Sequence, residues 1–232
     1  MNNDALLCME ELNKLLCTLR CTDVSQKNDE ILSSLLKTRL VESEFDPLEV
    51  LSPFMQVILD PTLSGFVTSC ALGSVLRFLQ QGSVFLGNTQ VADLVIDTVT
   101  RTKFTETDRD ADETVLVRIV KIVHLVLTRD EMLDKGRVAA GLQCVQTIWI
   151  ADSHTSALSD VAREAVFNIL LHVIANGCDG YANTLMENIC LNVELLAKQP
   201  PATFDAEKLG FFLDILAALS RTNKMEDIIP FE

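Results

Sequence analysis

With 232 residues, 48% of them hydrophobic and only nine glycines and six prolines, the chain can bury a sizeable core and is too apolar for a disordered tail. Aromatic residues make up 6%, with one Trp and one Tyr, so Leu, Val, Ile and Ala must fill that core, as in helices packed on helices. The formal net charge of −14, with no Lys/Arg cluster to offset it, argues against nucleic acid and anionic lipid and leaves a basic protein surface open.

The apolar pattern is helical along the chain. From Asp4 to Arg20, Leu6, Met9, Leu12, Leu16 and Leu19 recur at three and four. Ile31, Leu32, Leu35, Leu36 and Leu40 repeat that spacing, with Asp29 as a cap. Asp46 and Pro47 suit the cap and first turn of the next helix, Pro53 predicts a kink or restart within it, and Asp60-Pro61 ends it. A strongly amphipathic helix follows over Phe66–Gln81, closed by Gly82, and a shorter one over Val91–Val99. Thr107, Asp108 or Asp110 caps a long helix reaching Leu127, whose early acids Asp112 and Glu113 suit a helix N-terminus. Its valine-rich part, Thr114–Val126, is the one stretch with β character, but its length and acidic start favour a helix. Further helices are expected at about Arg137–Ala151, Ser156–Asn176, Ala182–Lys198 and Ala206–Arg221, with a stop at Pro200-Pro201 between the last two.

Helical pairs starting near Leu48, Val91, Val138 and Ala182 recur at the period of armadillo or HEAT units, although no residue consensus repeats. The expected fold is all-α: an armadillo/HEAT-like stack of about ten antiparallel helices in a single elongated domain. Residues 1–199 form the helical-repeat part, and residues 200–232 a terminal helix that caps the stack or starts a further region.

Chemistry leaves little trace. The seven cysteines are odd in number and mostly lie in apolar runs, and no signal peptide opens the chain, so reduced thiols in a cytosolic protein are expected. Cys17 and Cys21 share a helical face but lack a second Cys/His pair with zinc spacing, so no metal is expected. His124 and His172 fall among apolar residues, as structural histidines do. His154 beside Asp152 and Ser153 is a poor triad, because neighbours in sequence rarely converge as catalytic groups must. The acidic run Asp108–Glu113 lacks the glycine and the bidentate glutamate of a calcium loop. No phosphate loop, nucleophile elbow, HExxH or dinucleotide fingerprint occurs. No apolar stretch is long enough to span a bilayer. Neither a catalytic residue nor a cofactor is therefore expected.

Two stretches carry a family pattern. In Ser52–Leu79 it comprises Pro53, Phe54, Val57, Ile58, Gly65, Thr68, Ala71, Leu72, Ser74, Val75, Arg77, Phe78 and Leu79. In Val99–Ile119 it comprises Val99, Thr100, Phe104, Thr107, Asp108, Asp112, Glu113, Val115, Leu116 and Ile119. A fainter match includes Leu158, Ser159, Arg163 and Ala165. With these residues the chain resembles the N-terminal dimerisation and cyclophilin-binding domain of the large Golgi Arf guanine-nucleotide exchange factors, Gea/GNOM-like branch, over roughly residues 5–198.

The resemblance implies a non-catalytic module that pairs with itself as a homodimer and contacts the downstream regulatory domain of the same protein. It also implies contact with small GTPases of the Arf-like or Rab class, and cytoplasmic localisation with peripheral Golgi membrane association through the full-length protein. The exchange domain itself lies elsewhere in such proteins. Arg77 matches a basic position, and Glu113 an acidic one, on the family's self-association surface, with Asp112 and Ser74 beside them. An unrelated HEAT or armadillo adaptor, binding a peptide or small GTPase, is the alternative reading.

Overall fold

The computed structural model describes residues 3–21, 46–82, 85, 87–106, 108–129, 135–151, 157–175, 181–198 and 206–221. Among these the protein forms nine α-helices and no strand: α1 (Asn3–Cys21), α2 (Pro47–Leu59), α3 (Gly65–Gln81), α4 (Thr89–Val99), α5 (Arg109–Arg129), α6 (Lys135–Ala151), α7 (Ala157–Ala175), α8 (Tyr181–Ala197) and α9 (Ala206–Arg221). The fold is all-α, as its periodicity requires. The helix expected at Ile31–Leu40 lies outside the described residues, as do Thr107, His154, Cys178 and Pro200-Pro201.

Local chemistry sets the helix ends. The Asp46 carboxylate accepts a hydrogen bond from the Leu48 amide at 2.9 Å, and Pro47, which lacks an amide proton to orphan, fills the first position. The expected restart at Pro53 does not occur. α2 runs unbroken through it, because Val50, Leu51, Phe54, Val57 and Ile58 bury one continuous face whose packing offsets the missing backbone bond. Asp60 then turns the chain, its carboxylate accepting from the Thr62 amide at 2.9 Å and the Thr62 hydroxyl at 2.6 Å. At the end of α3, Gly82 keeps an ordinary negative φ of −84°. What it supplies is space, because a Cβ there would lie 2.5 Å from the Phe85 ring and 2.8 Å from the Phe78 carbonyl. Asn88 caps α4 through the amides of Gln90 and Val91, and Asp108 accepts from the Ala111 amide at the start of α5.

The chain divides into two compact units, Met1–Leu133 and Asp134–Glu232. In the first, α3 packs against α1, α2 and α5, while α2 packs against α4, and α4 against α5. Successive helices thus alternate between two layers, α2 and α4 in one, α3 and α5 in the other with α1 beside α3, the arrangement of stacked helical pairs. Leu51, Phe54, Val57, Leu72, Val75, Phe78, Val91, Val95, Val115 and Val120 fill the space between. The Phe78 ring meets Phe54 edge-on at 5.2 Å and stacks on Phe85 at 5.1 Å, geometries worth about 0.5–1.5 kcal/mol per pair beyond burial. The loop before α3 is fixed to the strap after α4 at Thr105. Its amide donates to the Leu63 carbonyl at 3.0 Å and its hydroxyl to the Pro61 carbonyl at 3.0 Å, while its own carbonyl accepts from the Gly65 amide at 3.3 Å.

In the second unit α6 packs against α7 and α8, and α8 against α9. Trp149 anchors it, edge-on to Phe211 at 4.9 Å and donating its indole N–H to the Ser159 hydroxyl at 3.2 Å. A buried amide pair crosses from α8 to α6, Asn192 Nδ2 donating to Gln146 Oε1 at 2.6 Å. The Gln146 Nε2 group is left buried without a partner.

Candidate functional site

Helix α3 carries the first two of the four residues singled out from the sequence. Ser74 and Arg77 stand three apart, so both project toward the same neighbour, α1. There they meet Glu11. The Ser74 hydroxyl donates to Glu11 Oε2 at 2.5 Å, and Arg77 Nη1 to Glu11 Oε1 at 2.5 Å. Arg77 Nη2 reaches Glu10 at 3.0 Å, its Nε donates to Gln81 at 3.1 Å, and Lys14 stands 3.6 Å from Glu11. Glu11 is only 1% exposed, whereas the Arg77 side chain remains 40% exposed. Burial by itself would raise the Glu11 carboxyl, but hydrogen bonds from Ser74 and Arg77 and the charges of Lys14 and Arg77 outweigh it and hold the carboxyl below its usual range. The bond to Glu11, with its charge and that of Glu10, holds the Arg77 guanidinium correspondingly above its own.

Asp112 and Glu113 lie elsewhere, half-buried near the start of α5. The Asp112 carboxylate sits against Gly65, where a Cβ would come within 2.2 Å of Oδ1. Further along, Arg118 crosses from α5 to α3, with Nη1 donating to the Ser69 hydroxyl at 2.8 Å and to the Ser69 carbonyl. Its guanidinium takes the space that Gly73 leaves, 2.9 Å from where a Cβ would stand. These contacts run in the same order along both helices, so α3 and α5 are parallel. Asp112 and Glu113 are therefore level with Gly65, twelve residues and roughly 18 Å of helix from Arg77. The structure brings Ser74 and Arg77 together and keeps Asp112 and Glu113 apart from them within one chain.

Sequence reasoning missed Glu10 and Glu11, although a signal exists. Glu11 lies three after Cys8 and four before Leu15, squarely on the buried face of α1, where a carboxylate requires a cation or donors. Elsewhere little reactive chemistry is gathered. Burial pushes the Cys8 thiol up to about 12, with Asp4 adding to it, and the Cys144 thiol up to about 11, so neither supplies a ready thiolate at neutral pH. Cys17, Cys21 and Cys190 are exposed free thiols. Among the described residues no group of three or more His, Cys, Asp or Glu side chains is placed to hold a metal ion. A small pocket lined by Leu79, Phe85, Ala92, Leu125 and Val126 has Arg129 as the charged member of its lining, and so offers no acid–base pair.

Comparison with known proteins places these features in context. A 172-residue alignment, 68% of this chain and 12% of the relative, is 19% identical to ARF guanine-nucleotide exchange factor 2 of Saccharomyces cerevisiae. Over 130 residues, 53% of this chain and 9% of the relative, it is 27% identical to ARF guanine-nucleotide exchange factor GNOM of Arabidopsis thaliana. The chain resembles a region of Arf guanine-nucleotide exchange factors. An uncharacterised Schizosaccharomyces pombe protein is 27% identical over 95 residues, 40% of this chain and 6% of that protein. No family model matches the chain. The aligned region spans about a tenth of the length of these exchange factors (12% and 9%), so it corresponds to a small part of them. Among the described residues no helix is long and apolar enough to cross a membrane.

Proposed function

We propose that this chain is a non-catalytic, N-terminal regulatory and dimerisation module of a large Arf exchange factor. In this reading it mediates self-association, contact with the downstream regulatory domain and recruitment to Golgi membranes in vesicle trafficking. Small GTPases of the Arf-like or Rab class are its further partners, and the exchange reaction belongs to another part of the parent protein. The alignment to two exchange factors, extensive on this chain and small on theirs, carries the reading.

Parallel α3 and α5 support a two-fold pairing. If two copies meet antiparallel about a two-fold axis across this layer, Arg77 of one faces the level of Glu113 of the other, and by symmetry the reverse holds as well. The opposite charges would set register more than affinity.

The test is the molar mass in solution, by sedimentation or light scattering, of the wild type and of Glu113→Lys. A dimer that Glu113→Lys converts to monomer supports the reading. A wild-type monomer removes the self-association role and favours the adaptor alternative. Arg77→Glu is the poorer probe, because it would set a third carboxylate against Glu10 and Glu11 and so disturb the docking of α1.

A further inference from the structure

Helix α1 carries two exposed cysteines, Cys17 and Cys21, one helical turn apart. The turn that holds them is anchored from behind. Leu15, Leu16 and Leu19 are buried, and the Thr18 hydroxyl donates to the Lys14 carbonyl at 3.0 Å. Cys17 lies on the side of α1 facing away from these leucines, with Cys21 about 40° round the helix from it. Lys14 and Arg20, both exposed, stand three residues before and after Cys17, one on either side of the pair.

The spacing decides what the two thiols can do. Residues four apart on a helix hold their Cβ atoms roughly 5–6 Å apart. A disulfide needs about 3.5–4.5 Å, so the sulfurs cannot be joined directly without unwinding the end of α1. One atom placed between them changes the geometry. Two metal–thiolate bonds of about 2.3 Å span about 4.6 Å, which the side chains reach by turning their sulfurs toward each other. Among the described residues no third His, Cys, Asp or Glu joins them, whereas zinc takes four ligands. An ion that accepts two suits the pair better, and soft thiolates favour Cu(I), whose closed d shell imposes no larger coordination number. Two thiolates on one monovalent ion leave one net negative charge. Lys14 and Arg20 offset that charge against the negative end of the α1 dipole. We infer that Cys17 and Cys21 form a two-coordinate site for a soft monovalent cation of the Cu(I) type. Each thiol releases its proton as its sulfur bonds the ion, so one ion enters, two protons leave, and no oxidation state changes. The site belongs to α1 alone and stands whether or not the chain pairs with itself.

The experiment titrates the fully reduced, full-length chain with Cu(I) buffered by bicinchoninate, whose coloured complex loses absorbance as protein takes the ion. The wild type should bind one tightly held ion per chain. Tethering a second ligand beside the first adds about 10²–10⁴ in affinity, so Cys17→Ser and Cys21→Ser should each weaken this binding at least roughly 100-fold. Cys190 is an exposed thiol on α8, in the other unit, and Cys190→Ser should leave the affinity within about 3-fold of the wild type. Because serine replaces exposed side chains, the circular dichroism and melting of the metal-free variants should match the wild type. X-ray absorption of the complex with one ion per chain should give two sulfur neighbours. Binding that survives either Cys17→Ser or Cys21→Ser overturns the proposal. So does a complex of one ion per two chains, which is a bridge between copies, or one with three or four sulfur neighbours. Zinc held as tightly as Cu(I), and lost with the same two substitutions, would overturn the two-coordinate geometry.

Discussion

Replacing Arg77 by Met, which keeps the aliphatic stem and removes the charge, leaves Glu11 buried with only Ser74 and Lys14 to satisfy it. Stranding one member of a buried ion pair costs about 3–5 kcal/mol, and the remaining donors place this case near the lower figure, about 3 kcal/mol for Glu11. At roughly 2–4 °C per kcal/mol, the melting temperature should fall by roughly 6–12 °C at pH 7. Glu11→Gln should cost less, about 1–2 kcal/mol, because Arg77 is partly exposed and keeps Glu10. Acid then separates the two causes. In the wild type the folded Glu11 carboxyl is held below its unfolded value of about 4.3, so its contribution is complete above that pH and is lost as pH falls through the folded value. In Arg77→Met the hydrogen bond and charge of Arg77 no longer lower the folded value, so it rises relative to the wild type. The charged carboxylate then stabilises folding less at pH 7, and the difference shrinks as pH falls through the raised value. The gap between variant and wild type should therefore narrow steadily between pH 7 and pH 4. Urea unfolding followed by circular dichroism at several pH values measures it. A gap independent of pH, or an equal cost for the two variants, would refute this account of Glu11.

Two further substitutions test the packing. Gly65→Ala drives a methyl group into Asp112 Oδ1, 2.2 Å from the Cβ position, and should cost about 1–3 kcal/mol despite alanine's better helix propensity. Adding Asp112→Ala should recover much of that loss in a thermal melt, and no recovery would place the strain elsewhere. Gln146→Leu should destabilise by about 1–3 kcal/mol, because it removes the acceptor of the Asn192 amide hydrogen bond at a buried site. Combining it with Asn192→Leu should cost less than the two single losses added together, and strict additivity in a double-mutant cycle would deny the coupling.

The helices and their approximate ends were legible in the sequence because they depend on local information. The valine-rich stretch of α5 shows how far this reaches. Val115, Ile119, Val120, Ile122, Val123, Val126 and Leu127 lie along one buried face, and that spacing outweighs the β preference of each residue taken singly. The candidate residues were legible only as types in a pattern. Nothing in a basic residue at position 77 says that it reaches a carboxylate 66 positions earlier in the chain.

Composition and periodicity by themselves determined that this protein is all helical, acidic and held together by aliphatic side chains, since amphipathic spacing and caps act over a few residues. Only the tertiary structure decided which helices become neighbours. That choice depends on where close approach is possible: Gly65, Ser69 and Gly73 open α3 to α5, and Arg118 fills the gap. It also decided that Glu11 is buried, that Arg77 stays partly exposed while bonded to Glu10, Glu11 and Gln81, and that Phe66 is left on the surface. Each is a property of two or three helices meeting, which no single stretch of chain can specify.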